Sequence, residues 1–215
     1  MTQLSSNHIS EQTLDKAMLL FWEKGYFNTS VEDIVGVTGV NRATLYKNFD
    51  GKQGLFLAML RRFRSNVIQS ATDSLQDPSR GIEAIHFFFN QFFHADCQMM
   101  SSHGCFIIAT ATDIPSHDDE VTELIHDFIN HLRTLFLDIF IHLKSQKQID
   151  QGEDPKALAD FLVCNVLGLV TLFRSGADQT IARRHVQTVN RFLVNLRQEN
   201  PNREVINTTK GVSHD

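Results

Sequence analysis

Side chains suited to contact with a nucleic acid are concentrated in one short stretch of the chain: Arg42, Ala43, Thr44, Tyr46, Lys47, Asn48 and Lys52. Arginine and lysine bind phosphates and guanine edges, and hydroxyl and amide groups bind either bases or phosphates. The Ala43 methyl group can meet the methyl group of a thymine. The stretch therefore predicts a helix that reads DNA through the major groove.

A second cluster of reactive side chains comprises His94, Cys97, His103 and Cys105. Two interpretations remain open for it. A cysteine at the start of a helix has a lowered pKa, which predicts a thiolate at Cys105 that His103 activates and Cys97 resolves. The same residue types suit zinc or copper. Their spacing matches no zinc pattern, and we predict no metal site.

The nucleic-acid stretch lies on the second of two short helices that flank a glycine turn. Thr29 and Glu32 have the spacing of a capping box, so the first helix should begin near Ser30. Gly39 can adopt the left-handed backbone that ends a helix. Asn41 is a good N-cap for a second helix from Arg42 to about Lys47. A longer amphipathic helix, ended by Gly25, precedes this pair.

Four segments of the first quarter of the chain resemble the N-terminal signature of TetR-type transcriptional regulators: Leu-Phe-Trp-Glu-Lys-Gly-Tyr, Thr-Ser-Val-Glu-Asp-Ile, Gly-Val-Asn-Arg-Ala-Thr-Leu-Tyr and Asn-Phe-Asp-Gly-Lys-Gln-Gly-Leu. The resemblance implies an all-α homodimer that presents a three-helix helix-turn-helix head from each subunit. Each pair of heads would bind a palindromic operator in double-stranded DNA. Such proteins usually act as repressors that a small molecule releases.

The resemblance also assigns roles to residues of the head. Arg42, Thr44, Tyr46 and Lys47 match the recognition helix, and Ala43 is small where the family often has glycine. Lys52 matches the lysine that holds the DNA backbone, and Asn48 lies where polar residues often meet phosphate. Thr29 matches the cap of the first helix of the pair, where amides also point at phosphate. Further on, Gly-Cys105-Phe resembles a motif of one family branch, in many members of which that cysteine is merely small and buried.

The rest of the chain is predicted to be helical, over residues 52–74, 78–97, 104–112, 117–147, 154–175 and 179–198. We predict a DNA-binding domain at 1–51, a helical effector-binding and dimerisation domain at 52–198, and a disordered tail at 199–215. The last two helices carry more apolar surface than one subunit needs. That excess, and their position in the family, predict a dimer interface.

The middle of the chain is predicted to hold the effector site. Five phenylalanines between Phe87 and Phe93 cannot all face one side of a helix, so some should line a cavity and others the core. The candidate ligand-binding residues are Phe88, Phe89, Phe92, His103 and Cys105. They imply an apolar or aromatic ligand. The predicted function is a ligand-responsive repressor, with thiol-based sensing of oxidants or electrophiles through Cys105 as the alternative.

Composition limits the other function classes. The net charge is −5, yet the residues through Arg64 hold eight Lys and Arg against six Asp and Glu. A mildly basic head on an acidic body favours local DNA contact over bulk coating of nucleic acid. No signal peptide or transmembrane pattern is recognisable, so a cytoplasmic location is expected. Three cysteines make no disulfide framework. No catalytic motif was found, and we predict neither an enzyme nor a cofactor.

Overall fold

The computed structural model describes residues 9–93, 103–113 and 119–197. Within these ranges the regular elements are helices: α1 (Glu11–Lys24), α2 (Val31–Thr38), α3 (Arg42–Phe49), α4 (Gly51–Phe63), α5 (Gln69–Thr72), α6 (Ile82–Asn90), α7 (Phe106–Asp113), α8 (Asp119–Ser145), α9 (Pro155–Arg174) and α10 (Gln179–Asn195). A π-helical turn (Arg64–Ile68) joins α4 to α5, and short 3₁₀ turns follow α5, precede α6 and follow α6. The predicted all-α fold is confirmed.

The first three helices begin and end where local chemistry requires. The Ser10 hydroxyl accepts a hydrogen bond from the Thr13 amide at the start of α1, and Gly25 ends that helix with a positive φ of 77°. Gly39 is left-handed at the end of α2, and the Asn41 side chain accepts from the Thr44 amide to cap α3. The predicted caps at Gly25, Gly39 and Asn41 are confirmed.

One capping prediction for the head is wrong, and the start of α4 has no side-chain cap. The capping box of α2 is formed by Ser30 and Asp33, one residue beyond the predicted pair of Thr29 and Glu32. At the start of α4, Asp50 has a φ of 57° and its side chain makes no capping hydrogen bond. Asp50 instead serves as the left-handed residue that ends α3, so the turn between α3 and α4 is very tight.

That turn requires glycine at position 54. A methyl group built on Gly54 would lie 1.6 Å from the carbonyl oxygen of Phe49 and 2.8 Å from its carbon. No side chain can be accommodated at these separations without moving the backbone. The bare backbone of Gly54 therefore fixes how the recognition helix leans on α4.

The body packs around long helices in a continuous apolar core. α8 and α9 pack against each other, and α7 is wedged between them and α4. Asp154 caps α9 and Pro155 occupies its first position. Three of the predicted helix ranges extend beyond the described residues, at 94–97, 117–118 and 198, and the predicted tail at 199–215 also lies outside them.

The outer side of α9 and α10 leaves apolar side chains uncovered. Phe161 is 43% exposed and its ring lies 4.9 Å from that of Phe192, while Ile181 and Val194 are about half exposed. Among the described residues, α9 alone has the length and apolarity to cross a membrane. A core helix of a soluble protein passes the same test, and the opposite side of α9 is buried in the core of the body.

Candidate nucleic-acid interface and apolar cavity

The recognition helix is held to the head by one side and open on the other. Leu45 is buried and anchors α3, whereas Thr44 is half-buried. The other predicted DNA-contacting residues of this helix are exposed: Arg42, Ala43, Tyr46, Lys47 and Asn48. One exposed surface therefore carries two cations, a methyl group, a phenol and an amide, which together can contact phosphates and base edges.

Two internal contacts hold side chains on this surface. Arg42 lies 3.6 Å from the Glu32 carboxylate, with both side chains more than half exposed. Asn48 donates through Nδ2 to the Thr44 carbonyl at 2.8 Å. An exposed ion pair of this kind is weak, so the Arg42 guanidinium can exchange Glu32 for a phosphate or a base.

Lys52 is seated beside the same surface on an aromatic ring. Its ammonium lies 4.2 Å from the centre of the Tyr26 ring, a cation–π contact, and partial burial lowers the pKa of Lys52. The Tyr46 ring also lies close to the start of α4, since a methyl group built on Gly51 would lie 3.0 Å from Tyr46 Cε1. The start of α4 is thus packed against both tyrosines.

Thr29 does not occupy the position that the sequence analysis gave it. Its side chain is fully buried, and its hydroxyl donates to the Gly25 carbonyl at 2.7 Å. Its amide donates to the Tyr26 carbonyl at 3.3 Å. Both donors are already used inside the protein, so Thr29 fixes the turn between α1 and α2 and is not a phosphate ligand.

The start of α2 is instead organised by Ser30 and Asp33. The Ser30 amide and hydroxyl donate to Asp33 Oδ2 at 2.8 and 2.7 Å, and Lys24 Nζ donates to Oδ1 at 3.0 Å. These hydrogen bonds, led by the one from the Ser30 backbone, lower the pKa of Asp33 to about 2. The carboxylate is therefore ionised at neutral pH and ties α2 to the end of α1.

An apolar cavity lies in the body, with a volume of about 20 Å³. Phe88, Phe92 and Cys105, three of the candidate ligand-binding residues, line it together with residues of the π-helical turn and of α5, α7, α8 and α9. Phe89 is fully buried away from it and stacks on Phe136. His103 lies nearer the head, 5.7 Å from the Trp22 ring and 3.7 Å from the Glu23 carboxylate. Phe89 and His103 are thus not lining residues.

The predicted activation of Cys105 is wrong. The thiol does lie at the start of α7, where the amides of Ile107 and Ile108 favour the thiolate. Burial outweighs them and raises the pKa of Cys105 to about 11. Its predicted partner Cys97 lies outside the described residues, as does His94. Within the described ranges, no three His, Cys, Asp or Glu side chains converge on a possible metal position.

Sequence reasoning missed the residues that link the head to the body. Arg174, at the end of α9, donates through Nη1 to the Trp22 carbonyl at 3.1 Å. The Trp22 ring packs against Phe63 and Phe106. A contact between residues so distant in the chain has no local signature, although an arginine at the end of an apolar helix was visible in the sequence.

Two family models cover most of the chain. Residues 14–59 match the model described as "Bacterial regulatory proteins, tetR family", and residues 81–189 match "Tetracyclin repressor-like, C-terminal domain". The transcriptional repressor ComR of Escherichia coli is 31% identical over 170 residues, which are 78% of this chain and 80% of ComR. The regulator YezE of Bacillus subtilis is 27% identical over 175 residues, 80% and 90% of the two chains.

Solved structures share the fold at lower identity. A TetR-family regulator from Cytophaga hutchinsonii superposes with a TM-score of 0.78 at 16% identity, over 92% of this chain and all of that one. A cysteine mutant of the regulator CifR, solved in complex with 26-bp double-stranded operator DNA, gives 0.68 at 19% identity, over 90% and 98% of the chains. The helical arrangement described above is therefore that of known transcriptional regulators.

Proposed function

This chain belongs to the TetR family of bacterial regulatory proteins, and from that premise we propose that it is a homodimeric repressor whose hold on a palindromic operator is controlled by a small apolar ligand. Residues 1–51 are the DNA-binding domain in this proposal, and residues 52–198 bind the effector and dimerise. We assign no role to the tail at 199–215. The α3 residues Arg42, Ala43, Thr44, Tyr46, Lys47 and Asn48 read the operator, and Lys52 holds its backbone.

The observation that carries this proposal is the exposed side of α3. Nearly all of its outward side chains are of kinds that bind DNA, while buried Leu45 and half-buried Phe49 pack the helix against the head. A helix that presents its N-terminal residues in this way fits the major groove. Two such helices, related by a dimer axis, read half-sites about 34–36 Å apart, so a small change in their separation weakens binding.

The ligand part of the proposal is supported by the cavity that Phe88, Phe92 and Cys105 line. At about 20 Å³ it is far smaller than the roughly 300 Å³ of an ordinary ligand pocket. A ligand would therefore have to expand it, and would favour whichever head position accompanies the expanded state. The ligand is apolar in this proposal because the cavity is walled by hydrocarbon and sulfur.

Titration of the purified protein by fluorescence anisotropy tests the proposal. The probes are a duplex from upstream of the protein's own gene, operators selected from random duplexes, and an unrelated duplex. We expect specific binding by a dimer. Arg42→Ala should cost about 1–3 kcal/mol and relax the choice of sequence, whereas Arg80→Ala, in the body, should have no effect. Equal affinity of the wild type for all duplexes would overturn the assignment of α3.

Release by ligand is tested separately with small aromatic probes, toluene and benzyl alcohol. Either probe should weaken operator binding in a manner that saturates with concentration. Specific binding that neither these nor larger apolar compounds weaken would remove the effector from the proposal and leave the DNA-binding function intact.

A further inference from the structure

The head meets the body at Trp22, the only tryptophan of the chain. Its side chain is 1% exposed, and its ring centre lies 4.9 Å from that of Phe63 on α4 and 6.3 Å from that of Phe106 on α7. Phe106 also packs edge-on against Phe56 and Phe63. One residue of the body is therefore inserted among the apolar side chains of α1 and α4.

A hydrogen bond from the body accompanies this packing. Arg174 Nη1 donates to the Trp22 carbonyl, which lies in the last turn of α1, where helix carbonyls lack intrahelical partners. A cation at a helix C-terminus also interacts favourably with the helix dipole. The Trp22 indole nitrogen has no hydrogen-bond acceptor within the described part of the chain. The buried indole N–H thus adds no directional contact, and the hydrogen bond from Arg174 to the Trp22 carbonyl provides one.

Phe106 and Arg174, the two body residues that contact Trp22, are close neighbours of residues that line the cavity. Val170 lines the cavity one helical turn before Arg174, and Cys105 lines it immediately before Phe106. The two segments also touch: a methyl group on Gly104 would lie 2.5 Å from the Val170 carbonyl oxygen and 3.1 Å from Arg174 Cβ. The cavity wall and the two residues that contact Trp22 are therefore parts of the same two touching segments.

We propose that Arg174 is a positioning residue for operator binding, and that Arg174 and Phe106 form the joint through which the cavity acts on the head. This inference rests on the proposed function and adds to it a specific route. Closely packed interfaces change between discrete arrangements, so expansion of the cavity shifts the Arg174 guanidinium and the Phe106 ring together. The recognition helix follows, because α1 and α4 carry it.

Substitution of Arg174 by methionine removes the bond but keeps the length of the side chain. We expect Arg174→Met to weaken binding to a selected operator about tenfold, with binding to unrelated DNA unchanged, because the charges of the head remain in place. Acrylamide should quench Trp22 fluorescence more strongly in this variant. Arg174→Lys should recover part of the operator affinity, because it restores a cationic donor.

Arg133→Met is the matched control. It also removes one positive charge and one polar contact from the body, the ion pair with Asp160, at a site away from the head. It should leave operator affinity and Trp22 quenching as in the wild type. If Arg174→Met binds the operator as tightly as Arg133→Met does, the positioning role is wrong.

A double-mutant cycle tests the route from the cavity. Leu132→Phe enlarges a side chain of α8 that lines the cavity. It should weaken operator binding about tenfold in the wild type and by less than about threefold in Arg174→Met. Equal losses in both backgrounds, or no loss in the wild type, would overturn the route. Val166→Ile provides a gentler cavity substitution where Leu132→Phe impairs folding, as judged by thermal unfolding.

Failure of this inference is distinguishable from failure of the proposed function. A wild-type protein that binds no operator specifically contradicts the proposed function. Specific binding that is insensitive to Arg174 contradicts the joint alone.

Discussion

Lys52 has a defined position before any DNA arrives, because its ammonium rests on the Tyr26 ring at the start of α4. A positioned cation beside an exposed recognition helix suits a phosphate that lies at the edge of the groove. Partial burial of the ammonium lowers the pKa of Lys52 from its ordinary value.

Removal of this cation should weaken binding to all DNA sequences alike. Lys52→Ala is expected to reduce the slope of log affinity against log salt by about 1, because one fewer counterion is released on binding. Anisotropy titrations from low to moderate salt measure this slope. Lys16→Ala, an exposed lysine of α1, is the charge-matched control. An unchanged slope for Lys52→Ala would show that Lys52 does not contact phosphate.

The buried thiol of Cys105 predicts low reactivity in the folded protein. Its pKa of about 11 lies above the ordinary value of 9.0, so the folded protein favours the protonated thiol. This preference stabilises the folded protein below pH 9, and the stabilisation is lost as the pH rises towards 11. At pH 8, iodoacetamide should modify Cys105 only after denaturant is added, so the denatured protein serves as the positive control. Mass spectrometry locates the label. Rapid labelling of Cys105 in the folded protein would revive thiol sensing.

At the scale of elements, the angle between the recognition helix and α4 depends on Gly54. Alanine at this position would force the methyl group against the Phe49 carbonyl, so the turn between α3 and α4 must open. Gly54→Ala should destabilise the protein by about 3 kcal/mol and lower Tm by roughly 10 °C. Loss of operator binding should accompany it, because Leu45 can no longer keep its position.

Gly36→Ala is the matched control for this substitution. Gly36 lies in α2 with no atom within 4 Å of the added methyl group. Alanine has the better helix propensity, so this change should raise stability by about 0.5–1 kcal/mol. Thermal unfolding followed by circular dichroism compares the two variants. A Gly54→Ala protein as stable as Gly36→Ala would contradict the described contact between α3 and α4.

The elements were largely predictable because their signals are local. Helix periodicity and the caps at Gly25, Gly39 and Asn41 define boundaries within short windows of sequence. The capping box failed because Thr29 and Ser30 are both hydroxyl residues followed by a carboxylate three positions later. What decides between them is the hydrogen bond from Thr29 to the Gly25 carbonyl, which is a contact with the preceding helix.

Residue properties that depend on tertiary contacts were not predictable in this way. The amides at the start of α7 lower the pKa of Cys105, but burial raises it by more, and burial follows from the packing of several helices. The contact between Arg174 and Trp22 joins residues that lie 152 positions apart in the chain. The DNA-binding residues could be proposed from sequence because the head is a compact local motif, whereas the cavity required the whole body.

At the scale of the whole molecule, the uncovered apolar side of α9 and α10 should be the dimer interface. Phe161 and Phe192 pack together on this side, and Gly168 leaves open space beside α9. A helix with small residues among large apolar ones allows a partner helix to approach closely. Each contact would occur twice about the two-fold axis, so one substitution acts on both halves of the interface.

Phe161→Asp should therefore dissociate the dimer without unfolding the subunit, because the ring is 43% exposed and the charge remains solvated in the monomer. Its dimer dissociation constant is expected to rise about a hundredfold, as for an aromatic anchor of an interface. Phe87→Asp is the control, since that ring is 53% exposed on α6, away from the predicted interface. Sedimentation equilibrium measures the dissociation constants, and anisotropy measures operator affinity.

The monomeric variant should lose operator affinity by about a hundredfold or more, because two linked heads bind far more tightly than one. A Phe161→Asp protein that remains dimeric would exclude this surface as the interface, and a monomer that retains full affinity would show that half-site spacing does not govern recognition.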